Sequence, residues 1–553
     1  MELNLASAHE ALAEALGDRA CLIASDRELT WADVNDRTRR LANVLLDRGI
    51  GLKRPLDGLD GWASPHEHVG LYLLNGNEYL EGMLGAAKAR AAAFNVNYRY
   101  VAEELAYVFD DADAAAIIYH GRYAGTLAEV IPRLQRAPLL LRVDDGSGDA
   151  LLPGAIDYEE ALAAASPARP DVDWSPDDLY VVYTGGTTGA PKGVLWRQAD
   201  FLVAALGITR PDGSDLGSLD ELVDLARPRS LRTLPAPPLM HGAAHWNAIS
   251  AWLGGGTVVI QSHPERLDPA DVLGTCERHA VTSLLIVGDA FARPLIDELH
   301  RRPYDLQALR FVLTGGAILS PAVKRELLGL LPDVRIVDVL GSSETGRHGT
   351  LTSRAGTHRD DAAAKRGFAA SPTTVVLDPE RRHLLEPGDE RIGWLAQRGR
   401  VPRGYLGDQD KTEATFPVIA GERYAVAGDR ARLLADGTLE LHGRDSVTIN
   451  SGGEKIFVEE VEGALKHHPD VYDALVVGRP SERWGQEVVA VIALRPGVAL
   501  DERAIVERAA EHIARYKLPK ALVVAETIER SPSGKPDYAW ARQQVLDPAA
   551  QSS

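Results

Sequence analysis

A strand-like apolar run that ends in a loop of glycines and threonines constrains the fold of this chain more than any other feature. The run Leu179–Val182 leads into residues 183–193, whose sequence is Tyr-Thr-Gly-Gly-Thr-Thr-Gly-Ala-Pro-Lys-Gly. Glycine lets the backbone approach a ligand closely, and consecutive backbone N–H groups can surround an anion. The threonine hydroxyls add donors, and the lysine adds a compact positive charge. The pattern predicts a strand followed by a loop that binds a polyphosphate.

This loop differs from the P-loop of many nucleoside triphosphatases. The P-loop motif places Gly-Lys-Ser/Thr four residues after a glycine, whereas Lys192 lies between Pro191 and Gly193, where proline disfavours the smooth start of a helix. A structural turn between two strands is the alternative, because turns also select glycine. The residues that we predict to contact phosphate are Thr184, Gly185, Gly186, Thr187, Thr188, Gly189 and Lys192.

Length, composition and charge limit the classes of protein to be considered. A chain of 553 residues is too long for one hydrophobic core, so two or more domains are expected. Its 45% hydrophobic and 25% charged residues are typical of a soluble globular protein. The net charge of -19 disfavours nucleic acid or an anionic membrane as the main partner. An anionic substrate must therefore be bound by a local positive site.

Cysteine usage and hydropathy predict a cytoplasmic protein. Cys21 and Cys276 are the two cysteines, too few for a disulfide framework, and this favours a reducing compartment. No apolar run reaches the roughly 18 residues of a transmembrane helix, so none is predicted. The first ten residues lack a basic region and an apolar core, so no signal peptide is predicted either.

Alternation of apolar strands and amphipathic helices predicts an α/β fold with parallel sheet. A capping box at residues 30–33 opens a helical pattern that stops near Gly49. A strand over 69–73, a helix over 78–88 and a strand over 92–96 form a βαβ unit. The intervening residues 52–68 are rich in Pro, Gly and Asp and predict a surface loop. Residues 211–222 are acidic and polar, and we expect a mobile excursion there.

The pattern of predicted secondary structure changes in the C-terminal third. After Glu390, short strands alternate with turns, and Asp436-Gly437 predicts a hairpin. From Ser446 onward, a mixed α+β pattern covers roughly a hundred residues, which is the size of a small domain.

Two further motifs directly follow predicted strands. Thr314-Gly315-Gly316-Ala317 offers small residues at a strand's carboxyl end, where open α/β sheets bind ligands, although a tight turn explains it equally well. Residues 340–345 (Leu-Gly-Ser-Ser-Glu-Thr) place Glu344 in a loop. One carboxylate near phosphates suits Mg²⁺, and a glutamate that stabilises a helix N-terminus is the alternative.

Three more motifs lie in the C-terminal third. Asp429 follows Ala-Gly, and its carboxylate can accept two hydroxyl groups; an exposed turn is the alternative. Residues 443–455 run from Gly-Arg-Asp-Ser to a Gly-Gly pair. Residues 531–537 (Ser-Pro-Ser-Gly-Lys-Pro-Asp) carry Lys535 on a loop, where an ordinary solvated lysine is the default interpretation.

Together, and in this order, these six motifs resemble those of the adenylate-forming enzymes: acyl-CoA synthetases, luciferases and the adenylation domains of peptide synthetases. The resemblance covers about residues 10–537. The sequences of residues 183–196 and 237–246 resemble those of actinobacterial synthetases for steroid side-chain or other bulky acids.

The resemblance implies a role for each motif. Glu344 would hold Mg²⁺, and Lys535, Glu344 and Thr184 would be catalytic. The other implied nucleotide and CoA contacts are Gly315, Gly316 and Ala317 at adenine, Ser343 in the motif of Glu344, Asp429 and Arg444 at ribose, and Gly452 and Gly453 at the pantetheine tunnel. The acid would lie near His241, Trp246 and Gly288. His241 has no permanent negative charge, so α-amino acids are disfavoured, although a histidine flanked by apolar residues is usually structural.

The sequence departs from the family pattern at three positions. Ser343 stands where threonine is usual, and it keeps the hydroxyl. Leu340 stands where an aromatic side chain commonly stacks on adenine. Ser446 stands at a hinge position that is usually Asp or Lys, and a small polar residue is compatible with large changes of φ and ψ.

The resemblance also implies the architecture. A large N-terminal domain of parallel and mixed sheets flanked by helices, with a β-barrel-like subdomain, would cover residues 1–444. A hinge at 445–446 would join it to a small mobile α+β domain at 447–553 that carries the catalytic lysine.

The implied reaction joins a carboxylic acid to CoA at the expense of ATP, through an acyl-AMP intermediate and release of pyrophosphate. A bulky acid of the steroid side-chain or terpenoid type is expected, with a medium- or long-chain fatty acid as the alternative. Transfer to a carrier protein or an amine also stays open, as does a non-catalytic acyl-nucleotide sensor. Retention of Glu344, Asp429, Arg444 and Lys535 disfavours the sensor. A homodimer is one alternative for the oligomeric state.

Overall fold

The structure is a computed structural model that describes residues 2–25, 27–184, 190–356, 367–451, 454–481, 484–531 and 534–546. Of the predicted site residues, Gly185, Gly186, Thr187, Thr188, Gly189, Gly452 and Gly453 lie outside the described residues. The helices are α1 Leu5–Leu16, α2 Trp31–Leu46, α3 Asn77–Lys88, α4 Ala102–Asp111, α5 Ala124–Val130, α6 Tyr158–Ala164, α7 Gln198–Ala204, α8 Leu219–Ala226, α9 Gly242–Leu253, α10 Pro269–Arg278, α11 Gly288–Arg301, α12 Pro321–Leu330, α13 Gln409–Thr415, α14 Val458–Leu465, α15 Glu502–Ala509 and α16 Tyr538–Leu546.

Parallel strands form the two α/β halves of the large N-terminal part. In the first half, five strands form one sheet: β3 His68–Tyr72, β4 Ala92–Asn95, β5 Ala114–His120, β6 Leu139–Val143 and β7 Ile156–Asp157. Their order in the sheet is β4-β3-β5-β6-β7, and the βαβ units come from residues 68–157. Every residue of β5 is buried, as expected for a central strand covered by helices on both faces.

The second half belongs to a 15-stranded sheet that changes from parallel to antiparallel at β14. Its parallel strands are β1 Ala20–Ala24, β10 Arg232–Pro235, β11 Thr257–Ile260, β12 Ser283–Ile286, β13 Phe311–Gly315 and β14 Arg335–Ser342, with β2 Arg27–Thr30 antiparallel at one edge. Beyond β14, the antiparallel strands are β15 Gly346–Ser353, β16 Phe368–Ala370, β17 Thr374–Leu377, β18 Gly393–Arg398, β20 Val418–Ile419, β21 Glu422–Ala425, β22 Asp429–Leu433 and β23 Thr438–Arg444. These antiparallel strands lie in the region in which a β-barrel-like subdomain is expected, and that expectation stays a prediction.

A separate three-stranded sheet carries the phosphate loop. Its strands are β8 Leu179–Thr184, β9 Lys192–Arg197 and β19 Gly404–Tyr405. Because β8 and β9 are antiparallel neighbours, Thr184 pairs with Lys192 across the two strands, and the loop between them begins and ends at one place. This register places Lys192, the predicted phosphate-binding lysine, beside the last residue of β8.

The C-terminal region has its own sheet and its own hydrophobic core. Five strands, β24 Ile449–Ser451, β25 Glu454–Ile456, β26 Val471–Ser481, β27 Gly485–Leu494 and β28 Ala521–Val524, form one sheet. Its core includes Ile456, Val461, Leu475 and Ile492, and no residue of the N-terminal cores belongs to it. This is the α+β pattern expected from Ser446 onward.

Most predicted elements are confirmed, and one expectation is wrong. The capping box is present, since Thr30 accepts the N–H of Asp33 and the Asp33 carboxylate accepts the N–H of Thr30. The expected excursion at 211–222 is instead partly helical, because Ser218 caps α8. Leu216 and Leu222 are buried, which anchors this segment to the core. Among the described residues, no helix combines the length and apolar character needed to cross a lipid bilayer.

Candidate active site

The carboxyl ends of three parallel strands bring the predicted nucleotide motifs together. Strands β12, β13 and β14 are parallel neighbours, so their carboxyl ends lie at one edge of the sheet. Gly288 follows β12, Gly315 ends β13 and is followed by Gly316, and Glu344 follows β14. This is the edge at which open α/β sheets bind their ligands.

Lys535, from the C-terminal region, lies at this edge. An ideal Cβ on Gly316 would stand 3.6 Å from the Cε of Lys535. The neighbouring Gly534, with φ +75°, packs on the backbone oxygen of Val287 and on Phe291, at 3.2 Å each from an ideal Cβ position. The loop that carries the lysine is thus seated on the start of α11.

Lys535 is exposed to solvent and lies near charged side chains of the N-terminal part of the chain. Burial and the Arg444 guanidinium lower the pKa of Lys535, whereas the carboxylates of Glu344 and Asp429 raise it. The Lys535 side chain therefore lies, exposed to solvent, near Arg444 and the carboxylates of Glu344 and Asp429, where an anionic ligand can reach it.

Asp429 and Arg444 form one pair on neighbouring strands. They face each other in the β22–β23 register, and Arg444 Nε donates to Asp429 Oδ1 at 3.2 Å. Burial raises the pKa of Asp429, with Arg444 opposing that shift, and Asp429 raises the pKa of Arg444. In the described residues, the bond from Arg444 engages one carboxylate oxygen, which leaves the other to accept a ligand hydroxyl.

Glu344 lies in the turn between β14 and β15. Tyr405 donates its hydroxyl to Glu344 Oε1 at 3.1 Å, and burial together with Glu344 raises the pKa of this tyrosine. Within the described ranges, no group of three or more His, Cys, Asp or Glu side chains could hold a metal by itself. A single carboxylate fits Mg²⁺ that takes its remaining ligands from phosphate and water.

Lys192 has a protein partner in this structure. Its ammonium contacts Asp408 Oδ2, and this hydrogen bond raises the pKa of Lys192. Thr184, the last residue of β8, is partly exposed beside it. To reach a phosphate, the lysine must leave Asp408 or bind alongside it.

Two asparagines that sequence reasoning missed fix the segment before His241. Asn75 donates to Pro237 O at 3.1 Å and accepts from the N–H of Leu239 at 2.6 Å. Asn95 donates to the carbonyls of Met240 and Tyr183, at 2.7 and 2.8 Å. Both asparagines follow or end a buried parallel strand, and that position was the available signal. They tie the start of the phosphate loop to the residues that precede α9.

His241 and Trp246 lie where α9 begins. Burial, and next the charge of Lys535, lower the pKa of His241 to about 3, so the ring is neutral. Its Nε2 has no hydrogen-bond partner among the described residues. Trp246 Nε1 donates to the Tyr180 hydroxyl at 2.7 Å, and that hydroxyl contacts His245 Nε2. The ring of Trp246 is thereby fixed to β8, beside Gly242 and Ser343.

The backbone geometry at Gly288 requires a glycine. Its φ is +55°, its N–H donates to Thr314 Oγ1 at 3.0 Å, and an ideal Cβ would stand 2.5 Å from the carbonyl oxygen of Ile318. Glycine is required here by this close approach of two backbones. Ala317 packs against the same spot.

Arg347 lies three positions after Glu344, in β15. An ideal Cβ on Gly207 would stand 3.0 Å from its Cζ, so the guanidinium lies against the chain that follows α7. Burial lowers the pKa of Arg347. Within the described residues, no carboxylate forms an ion pair with it. No sequence pattern singled out this residue.

The family models agree with this geometry. The model of the AMP-binding enzymes matches residues 9–406, and that of the AMP-binding enzyme C-terminal domain matches residues 460–535. The chain belongs to the AMP-binding enzyme family. Within this family it is an acyl-CoA ligase.

Relatives of the ligase align over nearly its whole length. It is 50% identical to the medium-chain acyl-CoA ligase Mig of Mycobacterium avium, over 97% of each chain. It is 41% identical to the 3-oxocholest-4-en-26-oate–CoA ligase of Rhodococcus rhodochrous, over 99% of this chain and 97% of that one. The resemblance to adenylate-forming enzymes is therefore confirmed.

Solved structures share the fold of the ligase. The anthranilate CoA ligase AuaEII in complex with anthranoyl-AMP superposes with a TM-score of 0.80 at 21% identity, covering 100% of this chain and 98% of that one. ATP-bound MatB from Rhodopseudomonas palustris gives 0.79 at 22% identity, over 99% of each chain. The α/β architecture with a small C-terminal domain is confirmed by these likenesses.

Proposed function

We propose that this ligase activates a bulky hydrophobic carboxylic acid with ATP and transfers the acyl group to CoA, using the residues described above. The observation that carries this assignment is the position of Lys535, which reaches from the small domain into the cleft that contains Glu344, Asp429 and Arg444. A lysine near a carboxylate that can accept hydroxyl groups suits a nucleotide whose α-phosphate is attacked.

In the first half-reaction, an oxygen of the substrate carboxylate attacks the α-phosphorus of ATP. The new O–P bond gives acyl-AMP, and the bond to the β-phosphate breaks as pyrophosphate leaves. The nucleophile is already ionised at neutral pH, so no general base is required. Two anions must approach each other, so catalysis rests on positioning and charge neutralisation. The Lys535 ammonium supplies that charge at the α-phosphate.

Each part of the nucleotide is assigned to residues near the carboxyl ends of the parallel strands and in the neighbouring strands and loops. Asp429 accepts the ribose hydroxyls while Arg444 holds its other oxygen. Gly315, Gly316 and Ala317 leave a flat surface for adenine, and Ser343 keeps a hydroxyl beside it. Thr184 and the following loop, with Lys192, bind the β- and γ-phosphates. Glu344 would hold Mg²⁺, which supplies charge neutralisation on the phosphate oxygens when bound.

In the second half-reaction, the small domain rotates about Asp445 and Ser446 and withdraws Lys535. These residues form a single 3₁₀ turn, Asp445–Val447, between the two bodies. Gly452 and Gly453 would then line the path of the pantetheine arm. The CoA thiol, as the thiolate, attacks the acyl carbonyl, the thioester bond forms, and AMP leaves with the electrons of the acyl–phosphate bond.

Two observations support the proposed substrate class: the neutral side chain of His241 and the names of the aligned relatives. His241 is neutral and supplies no negative charge to pair with an α-ammonium group, so amino acids are disfavoured. Relatives named for a steroid side-chain acid and for medium-chain acids both align over the full chain. We favour a bulky acid, and the 50% identity to the medium-chain ligase Mig makes a fatty acid the second candidate.

Pyrophosphate release over a panel of acids tests the assignment. The panel comprises steroid, terpenoid, aryl and short- to long-chain fatty acids, each with CoA, a holo-carrier protein or an amine as acceptor. We expect a steroid or terpenoid acid with CoA to give the highest kcat/KM. Preference for a carrier protein or an amine would contradict CoA transfer, and a best rate with an unbranched acid would contradict the bulky substrate.

We propose a cytoplasmic location, and a homodimer is one alternative for the oligomeric state. Cys21 and Cys276 are free and buried, which suits a reducing cytoplasm. Cell fractionation tests that location. Sedimentation of the purified enzyme distinguishes a monomer from a homodimer.

A further inference from the structure

A buried ion pair joins the two domains beneath the catalytic loop. Lys466 Nζ, at the end of α14 in the small domain, lies 3.2 Å from Asp289 Oδ2 in α11 of the large domain. The two side chains are only 6% and 2% exposed. Among the described residues, that carboxylate oxygen accepts no hydrogen bond. Lys466 therefore supplies the charge that compensates it.

On the small-domain side, the pair connects to the loop of Lys535. Lys466 Nζ is also 3.9 Å from Asp473, which accepts two hydrogen bonds from Arg530 at 2.9 Å each. Arg530 in turn donates to the carbonyl of Gly534 at 3.1 Å. The residue before the catalytic lysine is thus anchored to the network that contains Lys466.

On the large-domain side, the pair connects to the adenine loop. Asp289 Oδ1 accepts the N–H of Ser320 at 2.7 Å, and the N–H of Asp289 donates to Ile318 O at 3.2 Å. Gly316, at the start of this loop, faces Lys535. One carboxylate therefore holds the loop and receives the small domain.

We propose that the Lys466–Asp289 pair docks the small domain in the adenylation arrangement and so positions Lys535. This rests on the proposed function. The physical reason is the near balance of a buried ion pair: its Coulomb attraction is largely offset by desolvation, whereas removal of one partner leaves a costly unpaired charge. Such a contact selects one docking geometry strongly and still lets the domain leave for thioester formation.

Measuring the half-reactions separately tests this role. In Lys466→Met, we expect acyl-AMP formation from acid and ATP to fall about 10- to 100-fold, because Asp289 loses its partner when the domain docks. Thioester formation from supplied acyl-AMP and CoA should stay within about twofold of wild type. Lys517→Met, which removes the Glu460 ion pair on the same domain, is the matched control and should change neither rate.

The neutral double variant separates docking from a general loss of structure. Asp289→Asn keeps an oxygen for Ser320 N–H, and combined with Lys466→Met it leaves no unpaired charge. We expect adenylation to recover about tenfold over Lys466→Met alone. Equal losses in both half-reactions, or a double variant no faster than the single one, would overturn the proposal.

Amide hydrogen exchange reports docking without any turnover. In wild type, the amides of Gly534, Lys535 and residues 315–320 should be protected, and Lys466→Met should expose them. If wild type makes no acyl-AMP from any acid, the proposed function fails, while this protection still tests the ion pair. Unchanged protection in Lys466→Met would overturn the docking role.

Discussion

The Cε of Lys535 lies 3.6 Å from the position that a Cβ would take on Gly316. The two residues come from the C-terminal and the N-terminal parts of the chain. Lys535 is thereby placed against the segment in which we propose that adenine binds. This is the arrangement that the proposed first half-reaction requires.

Removal of the lysine should separate the two half-reactions. Lys535→Ala is expected to slow acyl-AMP formation about 100- to 1,000-fold, because the cation at the α-phosphate is lost. Conversion of supplied acyl-AMP to the thioester should be retained. Stopped-flow measurement of each step with purified variant decides this. Parallel loss of both steps would show that Lys535 does not divide the reaction as proposed.

A side chain at Gly316 should impair nucleotide binding beyond its effect on stability. Gly316 has φ +82°, where alanine is strained by about 1 kcal/mol. Gly437→Ala is the matched control, since its φ is +80° and an added Cβ would meet nothing within 4 Å. We expect both variants to lose similar stability in urea and only Gly316→Ala to raise the KM for ATP. A similar KM in both variants would place adenine elsewhere.

Arg347 should favour acids that carry an oxygen acceptor. Arg347 lies three positions after Glu344, so the two Cα atoms are at most about 10 Å apart, and we propose that the tail of a bound acid reaches the guanidinium. An apolar tail would strip the guanidinium of water without replacing a hydrogen bond. Arg347→Met is therefore expected to raise kcat/KM for decanoic acid and lower it for 9-oxodecanoic acid. The ratio of the two should change about tenfold.

Arg325→Met, on the exposed face of α12, is the control for that ratio. An unchanged preference in Arg347→Met would show that the acyl tail does not contact the guanidinium.

Folding stability should fall as the pH drops below 6.5. Burial lowers the pKa of His68, His120, His245 and His348 from 6.5 to about 4. Between these two values the unfolded chain binds the extra protons, so the stabilisation present above pH 6.5 is lost as the pH falls towards 4. Each histidine contributes a loss of about 1 kcal/mol at pH 5.5.

His120→Asn isolates one of these contributions. His120 Nδ1 accepts the N–H of Leu74 at 3.0 Å, and an asparagine oxygen can replace that acceptor without titrating. The urea midpoint of the variant should therefore change less than that of wild type between pH 7 and 5.5. Equal changes in both proteins would mean that His120 titrates normally in the folded state.

The sequence alone determined the α/β class, the βαβ unit predicted over 69–96 and found over 68–95, and the hairpin at Asp436-Gly437, because strand and helix periodicities and turn residues are local properties. The nucleotide residues were predicted from the resemblance to adenylate-forming enzymes, and their roles stay a prediction. Tertiary structure alone decided which side chains pair across distant segments. The partners Lys466 and Asp289, Tyr405 and Glu344, and Lys192 and Asp408 follow no spacing rule, because each depends on how separate elements pack.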